Sequence, residues 1–102
     1  MPEITEIFIL KVKDPKRADV LREAARTDFL KIDGVDSWKT YMSTDKDRPT
    51  LYAEIYQFHD YEAAKRITPS FATREATKAY LEEVDEILVG QYFQEHTTDT
   101  SK

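Results

Sequence analysis

Two segments of the chain carry apolar side chains on both faces of a predicted β-strand. Alternation over residues 51–58 puts Leu51, Ala53 and Ile55 on one face and Tyr52, Glu54, Tyr56 and Phe58 on the other. Residues 7–12 alternate in the same way, with Ile7 and Ile9 opposite Phe8, Leu10 and Val12. The helices of so short a chain can cover one face of such a sheet, so the other face is expected to need a partner subunit or a ligand.

The pattern elsewhere predicts the remaining helices and strands. In chain order we expect a strand over residues 4–12, a helix over 15–31, strands over 35–43 and 51–58, a short helix from Asp60, a longer helix over 74–88 and a last strand over 91–96. Asp14 and Asp60 are the expected N-caps of the first two helices, and Gly90 is the expected stop of the third.

The first helix is predicted to be amphipathic. Its apolar stripe recurs at three- and four-residue intervals and comprises Ala18, Leu21, Ala25 and Phe29. Charged side chains fill the predicted outer face, namely Arg17, Asp19, Arg22, Glu23 and Arg26. This helix is therefore expected to cover one side of the sheet.

The order strand, helix, strand, strand, helix pair, strand is that of a split βαβ unit. It predicts an α+β, ferredoxin-like fold with an antiparallel four-stranded sheet, whose central strands are the first and third along the chain. Those are the two strands that are apolar on both faces. We expect a single domain over residues 1–96, a polar C-terminal tail over 97–102, and a homodimer that covers the second face of the sheet.

Composition excludes several classes of function. The 20 acidic and 15 basic residues give a formal net charge of −5, which disfavours binding to nucleic acid or to anionic membranes. Cysteine is absent, so disulfides and thiolate metal sites are excluded. No apolar run is long enough to span a bilayer and the N-terminus has no signal-peptide pattern, so a cytoplasmic location is expected.

The stretch from Tyr52 to Ala64, YAEIYQFHDYEAA, resembles the dimeric α+β barrel superfamily, and is closest to its antibiotic biosynthesis monooxygenase branch. In that branch an aromatic-Glu-x-aromatic strand leads through a polar turn with Asp into a helix that begins Glu-Ala. The resemblance implies two sheets that face each other across a dimer, and a small-molecule pocket between each sheet and its helices. It also implies cofactor-independent oxidation of an aromatic or polyketide-like molecule, or cyclase or isomerase chemistry on the same fold.

The chain departs from this branch where the relatives carry histidines. Residues 66–72 read RITPSFA, so both histidines of the monooxygenase pattern are missing, as is the histidine base of a similar-sized cyclase. The haem-degrading relatives need an Asn, and this chain has none. No metal or cofactor is expected, because two histidines and scattered carboxylates show no ligand spacing.

Glu54 and His59 are the candidate catalytic residues. Glu54 lies among aromatic side chains of a central strand and is a candidate general base, although the pattern favours a structural hydrogen bond to a neighbour over catalysis. His59 lies at a strand end beside Asp60, where an exposed side chain at a helix entry is the alternative. The candidate pocket residues are Trp38, Tyr41, Tyr52, Tyr56, Arg66, Tyr80 and Tyr92, although such aromatics also form ordinary cores and interfaces.

Two hypotheses of different class follow. In the first, the protein is a cofactor-independent enzyme that acts on a small aromatic or polyketide-like molecule, with Glu54 or His59 as base. In the second, it is a non-catalytic homodimer that is structural or that only holds a ligand. The missing histidines favour the second hypothesis, and the crowded aromatic face around Glu54 favours the first.

Overall fold

The computed structural model describes residues 3–97, so residues 98–102 of the predicted polar tail lie outside the described residues. The elements in chain order are β1 (Ile4–Val12), α1 (Pro15–Phe29), β2 (Val35–Met42), β3 (Tyr52–Phe58), α2 (Tyr61–Ile67), a 3₁₀ helix (Thr68–Ala72), α3 (Glu75–Glu82) and β4 (Val84–Phe93). No helix within residues 3–97 is both long enough and apolar enough to cross a bilayer.

The four strands form one antiparallel sheet in the order β2-β3-β1-β4. This order confirms the predicted ferredoxin-like α+β fold and the central positions of β1 and β3. The two predicted N-caps are also confirmed. The Asp14 carboxylate accepts the backbone N–H groups of Lys16 and Arg17, and that of Asp60 accepts the N–H of Ala63.

The boundary between the last helix and the last strand differs from the prediction. Helix α3 ends at Glu82 rather than near residue 88, and β4 begins at Val84 rather than at residue 91. The cause is the edge of β1, which pairs Val12 with Val84 and Leu10 with Ile87. Hydrogen bonding along this edge outweighs the helical spacing of the same apolar residues.

Gly90 lies within β4 and is not the helix stop that the sequence predicts. It pairs with Phe8 of β1, and a Cβ atom added to Gly90 would lie 2.9 Å from the Phe8 ring. Glycine therefore allows the Phe8 ring to lie against the backbone of the neighbouring strand.

The sheet has a covered face, against which the helices pack, and an open face. The covered face and the helices share a buried aromatic cluster of Phe29, Trp38, Tyr56, Phe58, Phe71 and Tyr80. We define the open face by the cross-strand partners Ile7, Ile9, Tyr41, Ala53, Ile55 and Val89, which are half-buried or exposed in the single chain. Both central strands therefore carry apolar side chains on both faces, as predicted, and Glu54 lies on the covered face.

Candidate functional site

Glu54 lies at the centre of a buried hydrogen-bond cluster between the sheet and the helices, with 0 % of its surface exposed. Its Oε1 accepts hydrogen bonds from Nε1 of Trp38 at 2.9 Å and from the hydroxyl of Thr40 at 2.6 Å. Its Oε2 accepts hydrogen bonds from Nε of Arg22 at 2.7 Å and from the hydroxyl of Tyr80. We call these five residues the Glu54 cluster.

Arg22 lies inside the protein, so its predicted position on the outer face of α1 is wrong. Its residue surface is 4 % exposed, and its guanidinium also contacts Asp19 at 2.7 Å and the Tyr80 hydroxyl at 3.1 Å. Burial alone would lower the pKa of Arg22, but the charge and hydrogen bonds of Glu54 raise it above its ordinary value. The inward position follows from Glu54, because a buried carboxylate requires a cationic or hydrogen-bonding partner.

The geometry of the Glu54 cluster favours a structural role. Each oxygen of the Glu54 carboxylate already accepts two hydrogen bonds. A carboxylate can accept about four hydrogen bonds, so this one has no acceptor position left. Burial is the main cause that raises the pKa of Tyr80 above its ordinary value, so this phenol stays a neutral donor. Glu54 as a general base therefore stays a prediction, and this arrangement leaves no oxygen open to a substrate proton.

The structure divides the predicted pocket residues into two groups. Four of them are buried on the covered face beside Glu54, namely Trp38, Tyr52, Tyr56 and Tyr80. The other three lie elsewhere. Tyr41 is 56 % exposed on the open face, Arg66 is exposed and donates to the backbone carbonyl of Asp33 at 3.1 Å, and Tyr92 lies on the edge strand β4.

His59 is exposed and lies apart from Glu54. The two residues are five positions apart on and just beyond β3, which corresponds to about 16 Å. His59 lines a surface depression of about 430 Å³ that also includes Asp36, Asp60 and Arg66. The two predicted catalytic residues therefore do not form one site. Across residues 3–97, no group of three or more His, Asp or Glu side chains is placed to hold a metal ion.

Glu6 is a second buried carboxylate on the covered face, and it is not among the residues predicted from the sequence. It is 5 % exposed and lies in register between Tyr56 of β3 and Tyr92 of β4. Its Oε1 accepts a hydrogen bond from the hydroxyl of Thr68 at 3.0 Å. Burial raises the pKa of Glu6 to about 7, and the Thr68 hydrogen bond offsets part of that rise.

The second oxygen of Glu6, Oε2, lacks a hydrogen-bond partner among residues 3–97. Among residues 3–97, only Oγ1 of Thr77 is both fully buried and without a hydrogen-bond partner. Because Oε2 of Glu6 also lacks a partner, it is not fully buried and retains some solvent-accessible surface. Glu6 therefore combines burial, one fixed oxygen and one open oxygen, which Glu54 does not.

A signal for Glu6 exists in the sequence. Alternation over residues 4–10 places Glu6 on the same face as Ile4, Phe8 and Leu10, so its carboxylate had to be buried or paired. The hydroxyl of Thr68, which contacts it from 62 positions away, has no comparable signal.

The sheet order and the single covered face define a ferredoxin-like α+β protein. No protein-family model and no curated protein matches this chain. Comparison with solved structures, in contrast, finds relatives over nearly the whole length.

Three solved structures illustrate the likeness. SnoaB, a cofactor-independent oxygenase from Streptomyces nogalater, is 16 % identical, with 99 % of this chain and 100 % of SnoaB covered and a TM-score of 0.71. A candidate antibiotic biosynthesis monooxygenase from Bordetella bronchiseptica is 18 % identical, with 95 % and 100 % covered and a TM-score of 0.74. Hydroxynitrile lyase from Passiflora edulis is 15 % identical, with 96 % and 97 % covered and a TM-score of 0.75. The predicted resemblance is thus confirmed at the level of the fold, which is shared by proteins with different reactions.

Proposed function

We propose that this protein is a small-molecule enzyme of the antibiotic biosynthesis monooxygenase-like type that uses Glu6 as its acid–base group and no cofactor. The observation that carries the proposal is the Glu6 carboxylate, buried on the covered face with one oxygen open and a pKa of about 7. Tyr56 and Tyr92 lie on either side of it, and aromatic neighbours suit an aromatic or polyketide-like substrate. The fold shared with SnoaB supports the same reaction class.

A base whose pKa lies near neutral pH is suited to proton abstraction from an acidic phenol or carbon. With anthrone as substrate, Oε2 of Glu6 takes a proton from the acidic carbon, and the resulting carbanion transfers electrons to O₂. One oxygen atom forms the new carbonyl group. The other receives both protons lost from the carbon, one of them returned by Glu6, and leaves as water, so anthrone and O₂ give anthraquinone and water. O₂ is the oxidant, and the same proton transfer without O₂ would serve a cyclase or isomerase.

Replacement of the Glu6 carboxylate is expected to abolish most of the activity. In Glu6→Gln, kcat/KM for anthrone oxidation should fall by about 10²- to 10⁴-fold, because the amide cannot accept the proton. Oxygen consumption and the absorbance of anthraquinone measure the rate. In the unsubstituted protein, kcat/KM should rise with pH and level off above about 7, where Glu6 is ionised.

Two variants control this experiment. Glu62→Gln changes an exposed glutamate on α2 and should leave the rate unchanged. Glu54→Gln tests the base that the sequence predicts. If Glu54→Gln loses activity at full stability while Glu6→Gln retains it, Glu54 is the base and the Glu6 proposal is wrong.

The second candidate function is a non-catalytic homodimer that is structural or holds a ligand. The Glu54 cluster favours it, because the carboxylate buried between the sheet and the helices has all its acceptor positions taken up by protein donors. Under this alternative, no variant of Glu6 or Glu54 changes any turnover, since the unsubstituted protein shows none.

In both functions we propose that the protein is a homodimer formed through the open face. This face carries half-buried isoleucines on β1 and β3, and two such faces packed together would remove them from water. Ile55→Asp at its centre is therefore expected to give a monomer, as measured by sedimentation velocity at micromolar concentration. Val20→Asp, which changes an exposed residue of α1 on the far side of the protein, is the matched control and should stay dimeric. A monomeric unsubstituted protein would contradict the proposal.

A further inference from the structure

Two hydroxyl groups connect Glu6 to the protein surface. The Tyr92 hydroxyl donates a hydrogen bond to Oγ1 of Thr68 at 2.8 Å, and the Thr68 hydroxyl donates to Oε1 of Glu6 at 3.0 Å. The three groups come from β4, the 3₁₀ helix and β1. They form a continuous line of hydrogen bonds in which every donor is aimed toward the carboxylate.

The solvent exposure of the three residues falls from the outer end of this line of hydrogen bonds to the inner end. Tyr92 is 36 % exposed, Thr68 is half-buried, and Glu6 is 5 % exposed. The outer end therefore exchanges protons with water directly, whereas the inner end is largely shielded from it. A buried carboxylate that cycles between ionised and protonated forms can equilibrate its proton with solvent only through groups that reach the surface.

We propose that the hydroxyls of Tyr92 and Thr68 form the path by which protons pass between solvent and Glu6. This inference rests on the proposed function, in which Glu6 is the acid–base group. For inward transfer, Thr68 gives its proton to Oε1 of Glu6, Tyr92 gives its proton to Thr68, and a hydronium ion of the solvent reprotonates Tyr92 and becomes water. Three O–H bonds break and three form, so one proton moves inward, and the two hydroxyl groups then rotate back to their starting orientation. Outward transfer is the reverse.

The other groups that face Glu6 do not offer an equal path. Tyr56 on β3 is buried, and burial raises the pKa of its phenol well above the ordinary value. The raised pKa of Glu6 itself is explained by its burial, with an opposing effect of Thr68, so no charged side chain dominates its surroundings. Within residues 3–97, the Thr68 hydroxyl is the sole hydrogen-bond donor to the side-chain carboxylate of Glu6.

The neighbourhood of Tyr92 supplies a matched control. The ring of Tyr61 on α2 packs edge-to-face against the ring of Tyr92, with centroids 5.8 Å apart, and Tyr61 is likewise exposed. Its hydroxyl forms no part of the hydrogen-bonded line. Tyr61→Phe therefore removes a phenol at the same place on the surface without interrupting the path.

The experiment follows the Glu6 carboxyl carbon by NMR in protein labelled with ¹³C-glutamate, and the signal that disappears in Glu6→Gln identifies it. The chemical shift of this carbon as a function of pH gives the pKa of Glu6. For each variant, relaxation dispersion measured at the pH equal to that variant's Glu6 pKa gives the proton exchange rate. Tyr92→Phe and Thr68→Val are expected to slow this exchange by about tenfold or more, whereas Tyr61→Phe leaves it unchanged. Thr68→Val should also raise the pKa of Glu6 further, because it removes the hydrogen bond that lowers it.

Equal exchange rates in Tyr92→Phe, Thr68→Val and Tyr61→Phe would overturn the proton path. The readout needs no substrate, so its outcome is separate from the proposed reaction. Slowed exchange in a protein whose Glu6→Gln variant keeps full turnover would leave the path standing and refute Glu6 as the base.

Discussion

Loss of the Arg22 guanidinium is expected to be among the most damaging single changes in this protein. Arg22→Met should lower the free energy of unfolding by about 3–5 kcal/mol, because it leaves the carboxylate of Glu54 buried without its cationic partner. The methionine side chain replaces most of the lost volume, so the effect reports the charge rather than a cavity. Urea denaturation followed by circular dichroism measures it.

A second arginine on the same helix provides the control. Arg17 pairs with Glu83 at 3.1 Å but its side chain is 69 % exposed, so Arg17→Met should change stability by less than about 1 kcal/mol. Combining Arg22→Met with Glu54→Leu removes both charges and should recover much of the loss. Equal stability of the Arg22→Met and Arg17→Met variants would show that the buried pair does not hold the helices to the sheet.

The second large effect is a dependence of stability on pH that arises from Glu6. Its folded-state pKa of about 7 lies above the ordinary value of 4.5, so between these values the folded protein binds the proton that the unfolded chain releases. The stabilising contribution is therefore complete below about pH 4.5 and is lost as the pH rises through about 7. The difference between the folded and unfolded pKa values of Glu6 corresponds to about 3 kcal/mol in the free energy of unfolding.

Glu6→Gln removes this dependence, since the amide carries no charge at any pH. Above about pH 8 the variant should be more stable than the unsubstituted protein by about 2–3 kcal/mol, and the two should converge below about pH 4.5. Thermal and urea unfolding at both pH values provide the measurement, with Glu62→Gln as the exposed control. A constant difference at all pH values would mean that Glu6 titrates normally in the folded state.

Much of the fold was predictable because alternation and capping are local signals. The double-faced pattern of β1 and β3 placed them at the centre of the sheet, and Asp14 and Asp60 marked two helix starts. The start of β4 was not predictable in this way. Val84 and Ile87 fit a helical stripe as well as a strand, and the edge of β1 that selects the strand is distant in sequence.

The site was less predictable because its chemistry depends on pairs of residues. The spacing along α1 places Arg22 among the residues of the outer, charged face. Its side chain points inward because it pairs with the buried Glu54, which lies 32 positions away in sequence. Alternation correctly placed Glu54 on the same face as Tyr52 and Tyr56. It could not predict how many hydrogen-bond donors surround the Glu54 carboxylate. Glu6 was accessible to the same reasoning, and its partner Thr68 was not.

The two buried carboxylates of the covered face, Glu54 and Glu6, are held in different ways. Arg22 reaches Glu54 of β3 from α1, Tyr80 reaches it from α3, and two donors reach it from β2, so four elements meet at one buried carboxylate. Glu6 instead lies under a hydroxyl of the five-residue 3₁₀ helix that follows the seven-residue α2. Phe71 of the same 3₁₀ helix packs against Phe29, with ring centroids 5.0 Å apart, so exposing Glu6 by moving this segment would also require that aromatic contact to separate.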